Sequence, residues 1–137
     1  MNAAERRAPV PQYGMIVYSP APADPNALSE EYLAALDEYP ERAKALKGKV
    51  LGGTYFPKQR GFALSPSTEA MTVEGDAVRS GTVAGPDLVV AAFYVVAAPS
   101  IDVAVEIAKL HPAARDGAIE VRPLFVPAGQ VQDDYAD

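Results

Sequence analysis

The stretch LVVAAFYVVAAPSIDVAVEIAKLHPAARDGAIEVRPLF, residues 88–125, decides the fold. Its first eleven residues, Leu88 to Ala98, are uniformly apolar and too short to cross a bilayer, which reads as a strand covered on both faces. Ser100 and Asp102 then supply a hydroxyl for free helical N–H groups and an acid near the positive helix end, so a helix is expected from Ser100 to about Leu110. Ile101, Ala104, Val105 and Ala108 form its expected inward face. His111 precedes Pro112, which disfavours helical geometry, and the helix should stop there. From Ala118 to Phe125 polarity alternates, so Ile119 and Val121 face a core while Glu120 and Arg122 share the opposite face.

Working outward, YGMIVY (residues 13–18) is a short apolar run between proline-rich segments and suits a central strand. SPAPADPN after it forms no regular element. Leu28, Tyr32, Leu36, Tyr39, Ala43 and Leu46 recur at helical spacing, with Ser29 as cap and Glu30 and Glu31 in the first turn. Pro40 removes a helical hydrogen bond at a cost of about 3 kcal/mol, which predicts a kink or a second helix beginning there. Gly48 is the expected terminator. Between Val50 and Thr82, VLGGTYF, GFALS, EAMTVEG and AVRSG read as hairpin strands, with Glu74-Gly75-Asp76 the clearest turn.

This order predicts an α+β fold with two helices on one side of an antiparallel sheet. Since the Leu88 run is apolar on both faces, a second copy of the chain is expected on the other side, as a homodimer. Residues 1–12 and 127–137 read as a mobile tail and an acidic tail around one domain, 13–126.

Composition narrows the chemistry. The 137 residues contain no cysteine and one histidine, which removes thiolate chemistry and leaves a metal site only carboxylates, so no metal is expected. Eighteen acids against twelve bases give a net charge of −6, and no basic cluster exceeds Arg6-Arg7, so nucleic acid is not an expected partner. No segment suits a membrane span or a signal peptide, and a cytoplasmic protein is expected. Walker-type loops, Gly-x-Gly-x-x-Gly and nucleophile elbows are absent, and no cofactor is nominated.

YGMIVY, TVEGDAVRSG, Ala84-Gly85-Pro86-Asp87 and above all HPAARDGAIEVRPLF resemble the YCII-related family, in the branch named for an Asp-Gly-Pro-Phe motif. The motif here is AGPD, without the first Asp and the Phe, and apolar LVVA follows where relatives carry an acidic stretch. The resemblance implies a ferredoxin-like dimeric α/β barrel, similar to muconolactone isomerase, with a His and an Asp as possible catalytic groups. If the motif aspartate has a chemical role in relatives, this chain has either lost it or supplies Asp87. Some relatives accompany alternative sigma factors, which implies a regulatory setting.

His111 is the candidate acid/base, since both its protonation states are accessible near neutral pH, and Asp116 with Arg115 could orient it. In that reading it is a partly exposed corner residue; its structural alternative is a helix terminator that donates to a last carbonyl and favours the negative helix end when charged. Arg122 could clamp a small organic anion, or form a cross-strand ion pair. Tyr18 and Tyr94 could place hydroxyls in a cavity, or fill the core. Asp87 could act as a base on a tight turn, or bond its own backbone. Two functions follow: acid/base chemistry of isomerase or lyase type on a small organic acid, or a non-enzymatic accessory module that binds a metabolite or protein partner.

Overall fold

The computed structural model describes residues 10–51, 62–83 and 85–128. Residues 1–9 and 129–137, which hold most of the two expected tails, lie outside the described residues, as does most of VLGGTYF.

Among the described residues seven strands and two helices follow in the order β1 (Gln12–Pro20), α1 (Glu30–Ala45), β2 (Lys49–Leu51), β3 (Phe62–Ala63), β4 (Met71–Glu74), β5 (Ala77–Ser80), β6 (Leu88–Ala97), α2 (Ile101–Lys109) and β7 (Ala118–Pro123). The main sheet is antiparallel in the order β2-β6-β1-β7, and β3 pairs farther along the β6 edge that β2 occupies. This is the α+β arrangement of a ferredoxin-like fold.

Alternation along β1 turns Tyr13, Met15 and Val17 toward both helices, where they join Tyr94 and Val96 of β6, Tyr39 and Ala43 of α1, and Ala104, Ile107 and Ala108 of α2 in one core. Among the described residues the opposite face carries no helix. There Ile16 pairs with Phe93 and Glu120, Gly14 with Val95 and Arg122, and Tyr18 with Val90 and Ala118. Phe93 is 44% exposed, so within one chain β6 is covered on one face and half open on the other.

Both helices begin where their caps predict: the Ser29 hydroxyl accepts from Tyr32 N at 3.1 Å and that of Ser100 from Val103 N at 3.2 Å. Three expectations are corrected. First, of the two alternatives at Pro40 the second helix is excluded: α1 is continuous from Glu30 to Ala45, with Tyr39 and Ala43 on either side of the proline buried in the core. Second, the left-handed terminator is Lys47, with φ +67°, and not Gly48. Lys47 N donates to Lys44 O at 2.9 Å and Gly48 N to Ala43 O at 2.9 Å, the paired bonds of a Schellman ending. Gly48 is needed for closeness: a Cβ there would collide with Cδ1 of Ile107 and sit 3.3 Å from Ala97 O. Third, α2 buries Ala104, Ile107 and Ala108, while Ile101 and Val105 are 40% and 38% exposed. Ala104 and Ala108 are inward as expected, and Ile107 completes the stripe in place of Ile101 and Val105.

The turn at Gly75, φ +60°, joins β4 and β5 as expected, but the hairpin forms a separate two-stranded sheet. Its base is clasped by Gly81 N donating to Ala70 O at 2.9 Å and the Thr72 hydroxyl donating to Gly81 O at 2.6 Å. Met71, Val73 and Val78 point outward from it, each more than 60% exposed.

Candidate functional site

One arrangement, under the helices, brings sequence-nominated residues together, and a second, on the helix-free face, holds one of them.

Under the helices, His111 sits where α2 ends and a short helical turn, Pro112–Ala114, begins. Its backbone is extended, as the following proline requires, and its Nδ1 accepts from Ala113 N at 3.0 Å. An Nδ1 that accepts carries no proton, so the neutral ring is protonated at Nε2. The ring lies nearly parallel to Tyr94, with centroids 5.8 Å apart and an interplanar angle of 17°, and meets the edges of Tyr39 and Tyr32 at 5.1 and 6.4 Å. The Tyr39 and Tyr94 hydroxyls share a buried 2.6 Å hydrogen bond.

This corrects the expected terminator: His111 is 6% exposed and accepts a backbone hydrogen bond instead of donating one to a carbonyl. Burial pushes its pKa down to about 4. Burial likewise pushes the Tyr39 hydroxyl up to about 12 and raises Tyr94, to which the coupled Tyr39 also contributes. Tyr32 is raised by burial, opposed by the Ser19 side chain and assisted by the negative charge of Asp116. At neutral pH the cluster is therefore uncharged. A proton shuttle works best with a pKa near the operating pH, and a ring held near 4 serves as a neutral hydrogen-bonding and stacking group.

The corner is fixed by Gly117, whose N donates to Ala113 O at 2.8 Å and whose missing side chain lets the Tyr18 carbonyl approach; a Cβ at this position would overlap that oxygen.

On the helix-free face, the pairing of β1 with β6 slips after Val17: Val17 faces Ala92 and Tyr18 faces Val90, so Ala91 is an extra residue. Its carbonyl accepts from Leu64 N at 2.9 Å. That bond, with Ser67 N donating to Pro22 O at 2.8 Å, ties residues 64–70 as a strap over the end of the sheet. Between the strap, Tyr18 and Val90 of the sheet, and Thr82 and Val83 beyond the hairpin lies a cleft of about 520 Å³.

Of the nominated residues, His111 and Tyr94 meet in the buried cluster and Tyr18 lines the cleft. Asp116 is exposed and felt at Tyr32. Asp87 is exposed just before β6, its backbone carbonyl accepting from Ala21 N at 3.0 Å. Arg122 is exposed on the helix-free face with Glu120 at 3.7 Å. Neither Asp87 nor Arg122 touches His111 among the described residues. Sequence reasoning missed the strap. Its signal was the turn-rich Ser65-Pro66-Ser67-Thr68-Glu69, which closes a hairpin series without being a strand. It also missed Tyr32 and Tyr39 as partners of the histidine, although both lie on the apolar face expected of α1.

The model of one protein family, the YCII-related domain, matches residues 15–127. A comparison with curated proteins finds no match. Among the described residues no helix is long and apolar enough to cross a membrane.

Proposed function

From the premise that this chain belongs to the YCII-related family, we propose that it is an accessory binding module that holds a small, largely apolar molecule in the cleft under the strap. The observation that carries this reading is the cleft itself. Its volume of about 520 Å³ falls within the range of small-molecule sites, and apolar walls with a few hydroxyls at Tyr18, Ser65, Ser67 and Thr82 match the usual lining of such sites. His111 has a structural role in this reading, holding the corner that supports β1 and β7. With 2-naphthol as probe, amide shifts are expected at Leu64, Ser65, Glu69, Ala70, Thr82, Val83 and Val90, and Ala70→Trp should abolish them by filling the cleft. Shifts centred elsewhere, or intact binding by the Ala70→Trp protein, would overturn the reading.

The protein works as a homodimer that covers the helix-free face. Half-exposed Phe93 beside Ile16 and Val95, with Leu124 and Phe125 exposed at the end of β7, supplies the apolar surface such an interface needs. Light scattering at micromolar concentration should give twice the chain mass, and Phe93→Glu should give the monomer. A monomeric wild-type protein rules the dimer out.

A further inference from the structure

Resting on the binding reading above, we infer that the cleft takes an organic cation, an amine on an apolar body, in preference to a carboxylate. Among the described residues that wall it, Glu69 is the only charged one. It closes the short helical turn Ser67–Glu69 and makes no ion pair with any described residue. Against the described walls a carboxylate ligand would lose water, meet no positive charge and approach a negative one. An ammonium group would gain Glu69 as counter-charge, and Tyr18, also among the lining residues, carries an aromatic ring of the kind that attracts cations. The apolar remainder, including Leu64, Val83 and Val90, suits the body of such a molecule.

The residue nominated to clamp an anion is out of reach. On β7, Arg122 stands opposite Gly14 whereas Tyr18 stands opposite Ala118, so the guanidinium belongs to a row four residues along the strand, roughly 13 Å away at the Cα level. It also faces the Glu120 carboxylate at 3.7 Å. The net charge of −6 adds a field of the same sign as Glu69, favouring cations in encounter as well as in binding.

Three probes that share one apolar body separate the contributions: 4-phenylbutylamine, 4-phenylbutan-1-ol and 4-phenylbutanoate, titrated calorimetrically into the full chain at pH 7.5 and low salt. The expected order of affinity is amine, alcohol, carboxylate, with the amine about three- to fivefold tighter than the alcohol, the scale of one partly exposed charge pair. Glu69→Gln should reduce the amine to the affinity of the alcohol, and high salt should narrow the same gap. A carboxylate that binds tightest, or an amine advantage that survives Glu69→Gln, overturns the inference. If the alcohol binds, Ala70→Trp blocks it and the amine gains nothing, the binding reading stands and the cation preference falls. If none of the three binds, both fall.

Discussion

Between pH 6.5 and 4 the protein is expected to lose about 3 kcal/mol of stability through His111 alone. In the unfolded chain the imidazole takes up a proton near its ordinary pKa of 6.5, whereas in the fold, buried against Tyr94, Tyr39 and Tyr32, it resists until about 4. The unfolded state therefore binds more protons across this window, and stability rises with pH through it. The contribution is complete above 6.5 and is lost as pH falls toward the folded value. Protonation has a structural cost as well, because Nδ1 then becomes a donor facing the donor Ala113 N–H. The control is His111→Asn, whose side-chain oxygen can still accept from that amide but does not titrate. Denaturant titrations should show the variant less stable than wild type at pH 7.5, by about 2–3 kcal/mol for the lost ring. That gap should close toward pH 4. Parallel stability curves for the two proteins would refute the account, and a gap that widens in acid would restore the charged helix terminator.

Ile107→Ala is expected to cost about 3–5 kcal/mol, the upper part of the range for aliphatic truncations. Ile107 is fully buried, and its Cδ1 occupies the space that a side chain on residue 48 would need. Truncation opens a void where the end of α1, α2 and β6 meet, and the Schellman bonds at Lys47 and Gly48 hold the backbone against collapse into it. Val105→Ala on the same helix, at a 38% exposed position, should cost less than about 1 kcal/mol. Equal losses from the two substitutions would mean that the buried stripe of α2 is misassigned.

That stripe marks where sequence legibility ended. The existence of α2, its Ser100 cap, its stop before Pro112 and the alternation of the last strand all follow from local chemistry, and each is found where that chemistry puts it. Which apolar residues of a nine-residue, largely apolar helix face inward is not a local property. Ile101 and Val105 are as hydrophobic as Ile107, and it is the long-range packing of the core, including the close approach at Gly48 some sixty residues earlier, that seats the last. The same holds for the site. His111 was visible as the only histidine, and Tyr94 as a phenol in an apolar run. Their meeting with Tyr39 depends on how α1 packs across β6, which no local pattern states. The cleft was the least legible part, because it depends on the extra residue Ala91 offering a carbonyl to Leu64, an irregularity of register with no compositional mark.

The β4–β5 hairpin leaves and rejoins the domain at nearly one point, since Ala70 and Gly81 are hydrogen-bonded to each other at its base. In engineering terms it is an excursion with adjacent ends: residues 71–80 can be exchanged for a short glycine link, or lengthened at Gly75-Asp76, without stretching the strap on one side or Thr82 and Val83 on the other. The domain thus carries a built-in graft point beside the mouth of its cleft, where chain length and composition can change while the sheet and its core keep their register.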